Sequence, residues 1–339
     1  QGRPGGEEFE PLEPHAHRLD EMLDAPVRYS DATASSCARD AIDDLDRGEA
    51  LLLENTRFYS EEYMEFDPER AGRTHLVTRL APHFDAFVND AFAAAHRSQP
   101  SLVGFSAVLP AYAGRVMEAE IEVLGNIDET PTPRAYVLGG AKVTDSIDII
   151  RHGLETGRVD VILTAGLVGN VFLLASGIDL GDATAEYLLD HGYWDEIDRA
   201  ADLLNSYEDS IYVPEDVAFH RDGRRVEVPI RNLPPERNGK VKDVGPETTK
   251  QYEKLLSEVG TVVLNGPAGV FEDPQFQSGT RGLFEIVTRA EYSLVGGGDT
   301  AAAIRQLGIE GFDHISTGGG ATLRMLTEGK LPAIEALSR

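Results

Sequence analysis

The stretch Tyr292-Ser293-Leu294-Val295-Gly296-Gly297-Gly298-Asp299-Thr300 runs from a short apolar strand straight into three glycines, and the helix-forming Ala301-Ala302-Ala303 follows. Two other segments repeat the design. Residues 262–264 lead into Asn265-Gly266-Pro267-Ala268-Gly269-Val270-Phe271-Glu272, and His314-Ile315 leads into Ser316-Thr317-Gly318-Gly319-Gly320-Ala321. A strand, a glycine turn and a helix start together offer bare backbone N–H groups and the positive end of a helix to a phosphate. One such turn is common in α/β proteins. Three in series, with Asp299 able to hold a metal–phosphate complex, point to a nucleotide site that includes the Gly297-Gly298 turn. Asp299 equally suits the cap of the helix that follows it.

Working outward, short apolar strands are expected at 135–138, 159–163, 211–213, 261–264, 292–295 and 314–315, with helical stretches between them. That alternation predicts an α/β chain with a doubly wound, mostly parallel sheet. Residues 161–178 carry no charge and are long enough to span a bilayer. The glycines and polar residues inside the stretch favour a strand at 161–163, a turn and a buried helix at 168–176 instead. Before this series, apolar Val116, Ile121 and Leu124 alternate with Glu118, Glu120 and Glu122, which predicts an amphipathic helix over 113–127. Pro131-Thr132-Pro133 stops it, so this helix is the candidate domain junction. The first third reads as a helix near 20–23, strands at 27–29, 50–54 and 84–89, and a helical stretch over 68–81.

Composition narrows the setting. Of 339 residues, 58 are acidic and 31 basic, a net charge of −27 that disfavours nucleic acid and anionic membrane as partners. The acidity is spread along the chain, as in a solvated surface adapted to high salt. Cys37 is the single cysteine, which excludes an intrachain disulfide and a cysteine-based metal site. No signal peptide is read at the start of the chain, and a soluble cytoplasmic protein is expected.

Lysine is scarce, so Lys142 in Gly139-Gly140-Ala141-Lys142-Val143 stands out. Placed after a strand and two glycines, its compact charge suits the oxygens of a transferring phosphoryl group. The spacing is not that of a Walker A loop, and the plainer reading is an exposed lysine in a turn. Arg3, Arg57 and Arg97 each sit at a strand-to-loop transition. Arginine forks bind phosphate and carboxylate, and three at equivalent strand ends of one sheet predict a second anionic site. Each alone would more simply pair with a neighbouring acid. His96 is given no proton chemistry, and Asn265 and Glu272 fit loop structure as well as ligand contact.

Taken in order, several motifs resemble the phosphoglycerate kinase family along the whole chain. They are Gly2-Arg3-Pro4, residues 52–58 (Leu-Leu-Glu-Asn-Thr-Arg-Phe), Val88-Asn89-Asp90-Ala91-Phe92, Ala95-His96-Arg97, the Lys142 turn, Asp243-Val244-Gly245-Pro246 and the three glycine turns. The resemblance implies two Rossmann-like domains with mostly parallel sheets joined by an interdomain helix. The expected division is 1–112 for 3-phosphoglycerate, 113–127 for the helix and 128–322 for the nucleotide. Residues 323–339 are expected to return to the first domain. It further implies Arg3, Arg57 and Arg97 on the phosphoglycerate. Lys142 is expected on the transferring phosphoryl group, with Gly318 and Gly319 at the helix start facing it. Asn265 and Glu272 would lie around the adenosine, Asp299 at the Mg²⁺-nucleotide and Thr300 at its phosphates.

Three departures are visible. The family's opening strand, with its substrate motif, is absent, so the chain resembles an N-terminally truncated member. Ser146 stands where a second lysine is common, and Thr164-Ala165-Gly166 replaces a glycine run. The expected activity is reversible phosphoryl transfer between ATP and the carboxylate of 3-phosphoglycerate, giving ADP and 1,3-bisphosphoglycerate, with Mg²⁺ as cofactor and a monomeric state. A carboxylate nucleophile is already ionised and needs no general base. The competing expectation is a truncated nucleotide-binding fragment without turnover. A nicotinamide dehydrogenase is disfavoured because no Gly-x-Gly-x-x-Gly opens a βαβ unit.

Overall fold

A computed structural model describes residues 5–6, 9–233 and 239–338. The chain divides into two compact units: residues up to Ala119 together with those from Lys330 onward, and Glu120–Gly329.

In the first unit β1 (Val27–Ser30) pairs in parallel with β2 (Ala50–Leu53), and β3 (Phe87–Asn89) pairs in parallel with β4 (Ala111–Ala113). The expected single sheet is therefore two separate pairs, because no described strand lies between β2 and β3. The helical stretch expected over 68–81 also divides, into Pro68–Ala71 and His75–Leu80. The Glu61 carboxylate accepts from the N–H groups of His75 at 2.9 Å and Leu76 at 3.2 Å, which caps the second helix and sets the break. Leu76, Val77, Leu80 and Phe105 form the core of this unit. Ala333 of the C-terminal helix Pro332–Leu337 donates to the Ala95 carbonyl at 3.2 Å.

The helix predicted at 113–127 covers Arg115–Gly125, since Ala113 belongs to β4. Its N-terminus is capped by Asp90, whose carboxylate accepts from Met117 N–H at 3.0 Å. The buried stripe is Met117, Glu120 and Leu124, whereas Val116 is 42% exposed. A glutamate occupies a position that periodicity gives to an apolar side chain.

The second unit is built on a six-stranded parallel sheet in the order β13-β12-β11-β5-β6-β7. Its strands are β5 (Arg134–Leu138), β6 (Val161–Thr164), β7 (Ile211–Tyr212), β11 (Thr261–Asn265), β12 (Tyr292–Gly296) and β13 (His314–Ile315). β5 and β11 are buried along their whole length and are apolar through their middles, as central parallel strands covered on both faces must be. The chain winds outward from β5 through β6 to β7, then returns to β11 and winds the other way. β5 and β11 therefore flank a topological switch point, where open α/β sheets leave a crevice beyond the carboxyl ends of the strands. The strand and buried helix read from the uncharged 161–178 segment are present as β6 and Gly166–Ala175. Among the described residues no helix is long and apolar enough to cross a membrane.

Between β7 and β11 lies a small antiparallel sheet that the sequence reading did not anticipate. It consists of β8 (Asp216–Arg221), β9 (Arg224–Pro229) and β10 (Val241–Val244), in the order β10-β8-β9. Its hairpin turns on Asp222-Gly223, both at positive φ, the strongest short hairpin signal a sequence offers.

Candidate active site

The glycine turns converge on the crevice at the switch point. Gly139 N–H, after β5, donates to the Asn265 carbonyl at 2.8 Å, and Gly140 N–H donates to the Pro267 carbonyl at 2.8 Å. Gly166 N–H, after β6, reaches the Ala268 carbonyl at 3.1 Å. This mutual locking needs bare backbone: a Cβ on Gly266, at φ +88°, would stand 2.3 Å from the Gly139 carbonyl. Two buried threonines brace the loop after β11. Thr300 Oγ1 accepts from Gly266 N–H at 2.8 Å, and Thr280 Oγ1 accepts from Ala268 and Gly269, each at 3.1 Å. Together these turns enclose a cleft of about 340 Å³ that includes Gly140, Gly166, Ala268, Glu272 and Asp299.

At its mouth the exposed Lys142 reaches the start of the helix Gly320–Glu328. A Cβ on Gly319 would lie 3.2 Å from the Lys142 Nζ and 4.0 Å from the Gly298 nitrogen. The N-termini of the helices Gly298–Leu307 and Gly320–Glu328 thus come close together, with Lys142 beside the second. Among the described residues Lys142 makes no ion pair, so its charge is available to an anion.

The loop before Gly319 is held by Glu120. Its carboxylate accepts from Thr317 N–H at 2.6 Å and Thr317 Oγ1 at 2.8 Å, and lies 3.1 Å from His314 Nε2. Burial opposes its ionisation, but these partners outweigh burial and hold its pKa below the usual glutamate value. Below the cleft, buried Asp243 accepts from Arg225 Nη1 at 2.7 Å, Gly279 N–H at 2.9 Å and Val244 N–H at 3.0 Å. Burial nevertheless pushes its carboxyl up to about 6. Arg225 comes from β9, so the small sheet props the floor of the site.

In the first unit Arg57 follows β2 and Arg97 lies beyond β3. Buried Glu62 ties their loops together. It accepts from Ser101 N–H at 2.8 Å and Ser101 Oγ at 2.5 Å, and a further bond comes from Thr56, the neighbour of Arg57. Phe66 N–H also donates to the Ser98 carbonyl at 3.1 Å, next to Arg97. Glu54 of the same motif accepts from Asn55 N–H at 2.6 Å and Tyr29 Oη at 2.5 Å, and the Tyr29 phenol is pushed up to about 12 chiefly by that bond. Arg3 lies outside the described residues.

Of the residues picked from sequence, Lys142, Gly319 and Gly298 come together, and Glu272 and Asp299 line the cleft. Asn265 and Thr300 sit beneath the turns. The Thr300 hydroxyl is spent on Gly266, leaving its backbone N–H for a ligand, whereas the buried Asn265 Nδ2 has no hydrogen-bond partner among the described residues. Gly297, at φ +96°, makes the turn into the helix, and Gly318 N–H donates to Ser316 Oγ at 3.2 Å. Sequence reasoning missed Asn170, Tyr187 and Lys242, which also line the cleft, and gave no role to Asp243 or Arg225. The scarcity of lysine that drew attention to Lys142 applies equally to Lys242. Among the described residues no three His, Cys, Asp or Glu side chains gather into a metal site.

Comparison with known proteins identifies the family. The family model described as phosphoglycerate kinase matches residues 1–330. The chain is 59% identical over 337 residues to the phosphoglycerate kinase of Halobacterium salinarum, covering 99% of this chain and 85% of that protein. It is 58% identical over 339 residues to that of Natronomonas pharaonis, with the same 99% and 85% coverage. The crystal structure of the Pyrococcus horikoshii enzyme superimposes with a TM-score of 0.95 at 40% identity, covering 100% of this chain and 84% of that one. The Coxiella burnetii enzyme gives 0.78 at 34% identity, with 99% and 84% coverage. The chain belongs to the phosphoglycerate kinase family.

Proposed function

We propose that this chain transfers a phosphoryl group reversibly between ATP and the carboxylate of 3-phosphoglycerate, with the nucleotide in the cleft at the β5–β11 switch point. The observation that carries this reading is the convergence of the Lys142 ammonium, which makes no ion pair among the described residues, on the glycine-capped helix start at Gly319. In the forward direction a carboxylate oxygen of the acceptor forms a bond to the γ-phosphorus. The bond from that phosphorus to the β–γ bridging oxygen breaks, and its electron pair leaves on ADP. No proton moves, so no base is required.

Lys142 and the N–H groups of Gly319 and Gly320 would stabilise the charge spread over the equatorial oxygens. The N–H groups of Gly298, Asp299 and Thr300 would take the remaining nucleotide phosphates, with Gly297 allowing their close approach. Glu272 and Asn265 would border the adenosine. Arg57 and Arg97, with Arg3, would hold the phosphoglycerate. Asp299 is exposed and lines the cleft, at the start of the helix Gly298–Leu307. It fits a magnesium ion whose other ligands are phosphate oxygens and water. The ion would neutralise charge on the phosphates.

A coupled assay tests the reading. Nucleotide consumption should require both ATP and 3-phosphoglycerate, and ATP hydrolysis equally fast without the acceptor would overturn it.

A further inference from the structure

Lys142 stands at the N-cap of the helix Val143–Glu155 and makes no side-chain cap there. The residues that ordinarily take this position, Ser, Thr, Asp or Asn, fix the entry of the chain by accepting from the first turn, and an ammonium cannot accept. Upstream, the turn is tied down through Gly139 and Gly140. Downstream, Ser146 N–H donates to the Lys142 carbonyl at 3.0 Å. Between these ties lies the Ala141 carbonyl, which accepts from the Tyr193 hydroxyl at 2.6 Å, 52 residues along the chain. The Ala141 carbonyl and the Lys142 N–H belong to one planar peptide, so a bond that holds the carbonyl also places the Lys142 Cα.

A tyrosine hydroxyl near the surface ordinarily bonds water, but Tyr193 is built into place. The helix Asp182–Asp190 closes with Tyr193 N–H on the Leu188 carbonyl at 3.0 Å and Gly192 N–H on the Leu189 carbonyl at 2.9 Å. Gly192, at φ +77°, permits that closure, which fixes the backbone of Tyr193 just beyond the helix end. The Tyr193 ring lies near-parallel to His191, at 17° with centres 6.4 Å apart, and His191 stacks on Tyr187 at 4.0 Å. His191 Nδ1 is 2.7 Å from the Tyr187 carbonyl, and the Lys240 ammonium lies 4.7 Å from the centre of the Tyr187 ring. Backbone closure and aromatic stack therefore hold the hydroxyl in one place at little further cost in side-chain freedom. We infer that Tyr193 is a positioning residue for phosphoryl transfer, its hydroxyl aiming Lys142 at the helix start beside Gly319 through the Ala141 peptide. This rests on the role proposed above for Lys142, and Tyr193 acts through that lysine rather than on either substrate. Burial holds the Tyr193 phenol above the usual tyrosine pKa, so it stays protonated and donating wherever the enzyme works.

The test uses Tyr193→Phe, which removes the hydroxyl and keeps the ring, made both in the wild-type protein and in Lys142→Ala. In the wild-type background kcat should fall about tenfold while the Mg-ADP dissociation constant stays within about twofold. In Lys142→Ala the same change should alter kcat by less than about twofold, because no ammonium is left to place. An equal loss in both backgrounds, or a loss of ADP affinity as large as the loss of kcat, is what a merely structural role gives and overturns the inference. The backbone amide resonance of Lys142 supplies a reading independent of turnover. It should shift in Tyr193→Phe, since its peptide loses the bond on the carbonyl, and an unmoved resonance contradicts the contact. If the wild-type protein shows no acceptor-dependent turnover, the proposed function has failed and the inference with it. If the wild type turns over and Tyr193→Phe matches its kcat, the positioning role alone has failed.

Discussion

The Lys142 ammonium stands 3.2 Å from the point where Gly319 would carry a Cβ. The glycine leaves open a space bounded by a cation on one side and a helix start on the other. Gly319 itself has φ −77°, within reach of any residue, so the backbone does not require glycine there. The space does.

Gly319→Ala should therefore separate activity from stability. The methyl group meets only the far end of a flexible side chain, so stability should stay within about 0.5 kcal/mol of wild type. Turnover should fall at least tenfold, because the methyl occupies the place of the transferring group. Gly266→Ala is the contrast: strained φ and a clash with Gly139 should cost about 3 kcal/mol. Denaturant melts with parallel assays distinguish the two.

Glu120 is buried because His314 and Thr317 bind it, and that bond set should be measurable as coupling. Glu120→Gln should cost about 2 kcal/mol through lost charge-assisted hydrogen bonds. In a double-mutant cycle with His314→Gln, the effects should be non-additive by more than about 0.5 kcal/mol. Since its pKa is lowered in the folded state, the contribution is present above the ordinary carboxylate range and disappears as pH falls through the folded value. Additive single effects would show that the contact carries no energy.

Asp243 should give the opposite slope. Its folded pKa of about 6 exceeds the ordinary value, so the native state holds the proton more tightly than the unfolded chain. The stability it adds is complete below about pH 4 and disappears as pH rises through 6, a change on the order of 3 kcal/mol. Urea midpoints between pH 4 and 7 should show this slope in wild type and lose it in Asp243→Asn. Parallel profiles would contradict it.

The net charge of −27 should make stability depend on salt. Screening weakens like-charge repulsion, so the melting temperature should rise from dilute buffer into concentrated KCl. A melting temperature indifferent to salt would remove the halophilic reading that the Halobacterium and Natronomonas relatives support.

Much of the second unit was legible because its central strands are continuous apolar runs ending in glycine, and strand ends locate a crevice in any doubly wound sheet. Strand ends and the scarcity of lysine singled out Lys142, the glycine turn singled out Asp299, and Gly319 came with the family resemblance. What escaped depends on contacts that cross the sequence. Glu120 breaks the apolar stripe of its helix, and only partners nearly two hundred residues away explain it. Val116 was taken for core and is exposed for the same reason: the helix is rotated to bury Met117 and Glu120. The small antiparallel sheet did carry a local signal, Asp222-Gly223, which an expectation of parallel alternation passed over. Asn170, which lines the cleft, looked like one more residue of an uncharged helix. The separate strand pairs of the first unit were beyond reach, because pairing partners are not written in the period of a strand.

The central claim is that the charge of Lys142 acts on the group in flight rather than on the bound nucleotide. The most direct measurement is kcat for Lys142→Ala set beside its Mg-ADP dissociation constant. An interaction made mainly in the transition state appears in turnover, so kcat should fall by about two to three orders of magnitude while ADP affinity changes less than about tenfold. Near-normal turnover, or a loss of ADP binding as large as the loss of turnover, would contradict the account.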